Sequence, residues 1–129
     1  MMDKKPFGKL LTLDCDDCKG IIDHKNYIQI FIDNLVEEMG MKKKGETIFE
    51  YFEDNEYNRE RDIVGYSVVQ IISLSNITIH INEISRTIYL DVFTCGDLNE
   101  EKVISLVNDY FKPMKIKNKV ITRDAKSID

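Results

Sequence analysis

Ser67, Ser75, His80 and Cys95 are the residues of this chain whose types could do chemistry together. All four fall in IVGYSVVQIISLSNITIHINEISRTIYLDVFTCG, residues 63–96, the least charged stretch of a chain in which 32% of residues are charged. Polar groups inside apolar β-like runs cost free energy unless something satisfies them, so four in one region suggest a site. Ser75 offers a hydroxyl beside the Leu74 carbonyl. Attack on that carbonyl forms an ester; elimination leaves dehydroalanine, and hydrolysis leaves a pyruvoyl cap on the new chain end. His80 can remove the proton, because an imidazole exchanges protons near neutral pH. Ser67 can hydrogen-bond the oxyanion of the shift. Cys95 can give up and regain a proton, because a thiol titrates within reach of neutral pH. Chemistry that leaves an electron pair on carbon needs a carbonyl-based electron sink. No lysine with a phosphate-binding glycine loop is recognisable for pyridoxal phosphate, so a self-made ketone is the alternative.

Stepping outward, periodicity predicts the elements that must hold these residues. Strands are expected over Ile63–Ser73, Ile77–Ile81 and Thr87–Phe93, with Asn82–Arg86 as a hairpin turn and Ser75 held in a strained turn. A first strand is expected over Phe7–Asp14, followed by a turn at Cys15–Gly20. Thr47–Phe52 reads as a strand, and Glu53–Asp62 as a charged, mobile loop. The clearest helix is Asn26–Met39, with Tyr27, Ile30, Phe31, Leu35 and Met39 on one face. A second spans Asp97–Phe111, opened by an Asp97–Glu100 capping box, with Val103, Leu106, Val107 and Tyr110 inward, and is ended by Pro113. Lys115–Thr122 alternates charged and apolar residues, as an edge strand guarded by lysines does. The order predicts an α+β fold: a two-layer sandwich, one antiparallel β-sheet with two helices packed on one face. The other face of the sheet is then free, which points to a homodimer.

At 129 residues the chain makes a single domain spanning 1–129. A net charge of −5 argues against a nucleic-acid partner. No apolar run reaches a membrane span, and MMDKKPFGK has no apolar signal core. Three cysteines without an export signal fit free thiols and a cytoplasmic location. The C-x-x-C pair Cys15/Cys18 lacks the second ligand pair of a zinc site, so no metal is expected.

Gly65-Tyr66-Ser67-Val68-Val69, Ser75-Asn76-Ile77-Thr78-Ile79-His80 and Val92-Phe93-Thr94-Cys95-Gly96 resemble, in order and spacing, the motifs of the prokaryotic S-adenosylmethionine decarboxylase proenzyme family. The resemblance is specific over residues 63–96 and weaker from Gly8 to about Phe111. It implies cleavage between Leu74 and Ser75, a pyruvoyl cofactor on Ser75 that captures the substrate's amine, processing roles for Ser67 and His80, and proton donation by Cys95. It also implies a homodimer whose active sites draw on both subunits, feeding spermidine synthesis.

The departures concern substrate recognition. Leu74 stands where the family usually has glutamate, and Asn76 where it has histidine. The family's T-W-P-E, whose glutamate grips the ribose hydroxyls, becomes Ile81-Asn82-Glu83-Ile84, with the carboxylate one place early. In the family's A-E-F-Y-E-C, Asp14 keeps the charge while Cys15 replaces a ring. Glu83 and Asp14 are the candidate substrate-binding residues. Three readings follow: an S-adenosylmethionine decarboxylase; a pyruvoyl decarboxylase of a basic amino acid such as ornithine or arginine, held by acidic residues; or a non-catalytic partner subunit.

Overall fold

The computed structural model describes residues 5–126. Six strands form one antiparallel sheet: β1 Gly8–Cys18, β2 Ile48–Phe52, β3 Gly65–Ile72, β4 Ser75–Asn82, β5 Thr87–Thr94 and β6 Pro113–Arg123. Their order across the sheet is β2-β3-β4-β5-β1-β6. Two long helices, α1 Lys25–Glu38 and α3 Glu100–Phe111, cover one face; a short α2, Glu56–Glu60, links β2 to β3. The expected α+β sandwich is the observed fold.

Alternation along the strands sorts the two faces. Leu11, Leu13, Val68, Ile72, Ile77, Ile79, Ile81, Ile88, Leu90 and Val92 point to the helices and are buried. They pack with Ile28, Phe31, Ile32, Leu35 and Val36 of α1 and with Val103, Val107 and Phe111 of α3. Among the described residues nothing covers the opposite face. On it His80 pairs with Ser67 on one side and Tyr89 on the other, and Tyr89 with Asp14. At the end of that face nearest Cys95, Phe93 is stacked by Phe7 at 6.2 Å, with the Arg123 guanidinium 5.4 Å from its ring centroid.

Several sequence expectations are corrected. β1 runs through to Cys18, because pairing with β5 and β6 carries the strand past the expected turn. Cys15 and Cys18 are therefore core residues, not loop thiols. The inward stripe of α1 is centred on Ile28, Phe31, Ile32 and Leu35, which leaves Ile30 52% exposed. Glu53–Asp62 is not all loop: Asn55 accepts the Asn58 N–H at 2.8 Å and starts α2, none of whose residues is buried. α3 is capped by Asn99, which accepts the Lys102 N–H at 3.1 Å, rather than by Asp97. Phe111 takes an inward place and Leu106 and Tyr110 are half-buried; α3 ends at Lys112 in the left-handed region, and Pro113 opens β6.

Candidate active site

Ser75 opens β4 directly after the two-residue turn Ser73-Leu74 that joins it to β3. Neither turn residue has a positive φ, so the expected strained turn is absent. Contacts hold the turn instead. Ser73 N–H donates to the Lys42 carbonyl at 3.0 Å, and Lys44 N–H to the Ile71 carbonyl at 2.8 Å, so residues 42–44 run beside it. Ser75 pairs with Ile72 and with Thr94, which puts it on the helix side at the end of the sheet. Its hydroxyl donates to the Met41 sulfur at 3.2 Å.

Cys95 follows β5 at the same end. Its main-chain N–H donates to the Leu74 carbonyl oxygen at 3.0 Å, and its thiol lies 3.3 Å from that oxygen. The carbonyl next to the Ser75 hydroxyl thus has two donors aimed at it, the arrangement that stabilises an oxyanion. Thr94, fully buried, accepts the Gly96 N–H at 2.9 Å and braces the turn that carries Cys95. A Cβ on Gly96 would lie 3.0 Å from Met41 Cε and 3.1 Å from Leu74 Cδ1, so glycine lets these side chains close over the turn. Met41 and Thr94 were missed by sequence reasoning. Met41 comes from a distant loop with no local pattern, whereas Thr94 is within the T-C-G motif.

Ser67 and His80 form a second pair. They are directly opposed across β3 and β4, and Ser67 Oγ lies 3.0 Å from His80 Nδ1. This pair faces the open side of the sheet. His80 is five residues from Ser75 along β4, an odd number, so the two side chains take opposite faces about 16 Å apart along the strand. The chain brings Cys95 to the carbonyl of the Leu74–Ser75 peptide and Ser67 to His80, but does not bring the two groups together.

Glu83 lies in the turn after β4, three residues beyond His80. The odd offset turns it to the other face, as a one-residue slip in a strand does. There it accepts the Tyr51 hydroxyl at 3.2 Å. Burial holds its carboxyl above the usual range, partly offset by the Tyr51 hydrogen bond. Asp14 is exposed on the open face, opposite Tyr89 and Lys117. Cys15 is 2% exposed on the helix side, so the lost ring at that position leaves no gap on the open face. Burial pushes the Cys15 thiol up to about 12, with Cys18 and Asp14 adding to it. It pushes Cys18 up to about 11, against the pull of Arg86. Such thiols stay protonated and inert. No helix among the described residues is long and apolar enough to cross a membrane.

The fold and the sequence are both shared with known proteins. The chain is similar to the crystal structure of the adenosylmethionine decarboxylase from Aquifex aeolicus VF5, with a TM-score of 0.77 and 20% identity over 94% of this chain and 93% of that one. At that identity the likeness defines the class of fold, an α+β sandwich. Among protein families, residues 9–124 match S-adenosylmethionine decarboxylase. The chain belongs to that family, and with it to the decarboxylases, a class of lyases. A search of curated proteins finds no match.

Proposed function

We propose that this chain cuts itself between Leu74 and Ser75 and then decarboxylates S-adenosylmethionine for polyamine synthesis. The carrying observation is the convergence of the Cys95 N–H and thiol on the Leu74 carbonyl oxygen. Ser75 Oγ attacks the Leu74 carbonyl carbon, and the negative charge gathers on the oxygen that Cys95 already faces. The C–N bond breaks, the Ser75 nitrogen takes a proton, and Leu74 is left as an ester on Ser75. Loss of the Ser75 α-proton expels the Leu74 carboxylate, and water replaces the resulting enamine nitrogen, which leaves as ammonia. The ketone so formed supplies the electron sink for decarboxylation. Cys95, exposed beside it, holds the proton to be returned to the substrate carbon.

The base for these steps is His80, oriented by Ser67. Its separation from Ser75 within one chain supports a site shared between two copies. The free sheet faces meet in a homodimer, and the Ser67–His80 pair of one copy serves the Ser75–Cys95 end of the other. The free thiols support a reducing, cytoplasmic setting.

Gel electrophoresis of purified protein tests the cleavage. Two fragments, 1–74 and 75–129, are expected, the second reacting with carbonyl-trapping reagents. A single stable 15.1 kDa band would overturn the reading. Carbon dioxide release is expected from S-adenosylmethionine and not from ornithine or arginine.

A further inference from the structure

Gln70 and Thr94 are the buried polar side chains among the described residues. Thr94 braces the turn of Cys95, whereas Gln70, on the helix side of β3, has no role in the chemistry above. A buried amide costs free energy unless its polar atoms are satisfied. The loop before β2 satisfies this one. The Gln70 amide nitrogen donates to the Gly45 carbonyl at 3.2 Å, as well as to the Ile71 carbonyl at 2.9 Å, and its oxygen accepts the Thr47 hydroxyl. Gln29 of α1 donates in turn to Thr47 Oγ1 at 2.8 Å. From this anchor the loop lies along the end of β3, with Lys43 bridged to Ile72, and residues 42–44 make a short extra strand that reaches the Ser73-Leu74 turn. The residue at its far end is Met41, which accepts the Ser75 hydroxyl at 3.2 Å and whose own N–H donates to the Val36 carbonyl of α1 at 3.2 Å. The strap 41–47 is thus pinned at both ends.

We propose that Gln70 and Thr47 are positioning residues for self-cleavage: they hold the strap against the end of β3, and the strap, through Met41 Sδ, fixes Ser75 Oγ beside the Leu74 carbonyl that Cys95 faces. This rests on the function proposed above and adds what holds the scissile turn, whose own backbone has no positive φ to lock it. A thioether is a weak acceptor, so Met41 orients the hydroxyl without competing for its proton. Attack needs the reacting atoms about 3–3.5 Å apart, a separation that a two-residue turn keeps only while something holds it.

The test follows cutting of full-length chains, freshly made by cell-free translation, on timed gels at one concentration and well below the Tm of each variant. Thr47→Val removes the hydroxyl at nearly constant size, and Gln70→Leu removes the amide; each should slow cutting about 10-fold or more, while Thr47→Ser, which keeps the hydroxyl, should stay within about twofold of the parent. Hydroxylamine splits an ester, here leaving a hydroxamate on Leu74 and an intact Ser75. The strap acts on the first attack, so the slowed variants should hold no ester and hydroxylamine should not restore the parent rate. Thr47→Val cutting at the parent rate would overturn the proposal, as would an equal defect in Thr47→Ser or rapid scission of Thr47→Val by hydroxylamine. A parent chain that never cuts would instead overturn the function on which it rests.

Discussion

Cys95 meets Leu74 through two groups that substitution can separate. Cys95→Ala removes the thiol but keeps the main-chain N–H on the Leu74 carbonyl. Self-cleavage should therefore persist at a reduced rate, while turnover falls by about 10² or more for want of the proton donor. Timed gels and carbon dioxide release separate the two effects. Ser75→Ala should abolish both. Native alkylation at pH 8 should label Cys95 alone, because burial keeps Cys15 and Cys18 protonated. Intact-mass measurement counts the adducts. For Glu83 the folded carboxyl titrates above its unfolded value. Its favourable contribution is thus complete below the unfolded carboxylate range and is lost as pH rises through the folded one. Glu83→Gln should raise Tm relative to the parent at pH 7, with the difference vanishing near the acid end.

At the scale of elements, local chemistry sets the ends and tertiary pairing sets the lengths. Asn99→Ala removes the α3 cap and should cost about 1 kcal/mol in a denaturant melt. The succession of strands along the chain, the two long helices and the lysine-guarded edge were legible because alternation and 3.6-residue periodicity record which side is buried. What was not legible follows from contacts distant in sequence. Cys15 and Cys18 read as turn residues because Asp16-Asp17 breaks the apolar pattern, yet two flanking strands extend β1 through them. Asn99 and Asp97 are both good caps by type, and only the backbone path decides between them. The contact of Cys95 with the Leu74 carbonyl joins two segments that the motifs had marked separately. That Ser75 and His80 face apart follows from their odd spacing, which sequence alone already contained. The closing of Met41 over Ser75 had no sequence signal.

For the whole molecule, the free face is the property that matters. It carries Ser67, His80, Tyr89 and Asp14 in one cross-strand row, with an apolar end at Phe7 and Phe93. If two such faces meet, coexpressed Ser75→Ala and His80→Ala chains should complement. Each mixed dimer then has one site with intact Ser75 and intact His80, so part of the His80→Ala chains should be cut although neither variant alone is. Mass spectrometry of the mixture reads this directly, and absence of any cut chain in verified mixed dimers would count against a shared site.

If the His80 of a second copy serves Ser75, the distance between Ser75 and His80 along one strand also governs when maturation happens. A newly made chain at high dilution would then hold the Leu74–Ser75 bond with no imidazole in reach of it. Scission should be second order at first, quickening as protein accumulates, so that each cut records an encounter already completed.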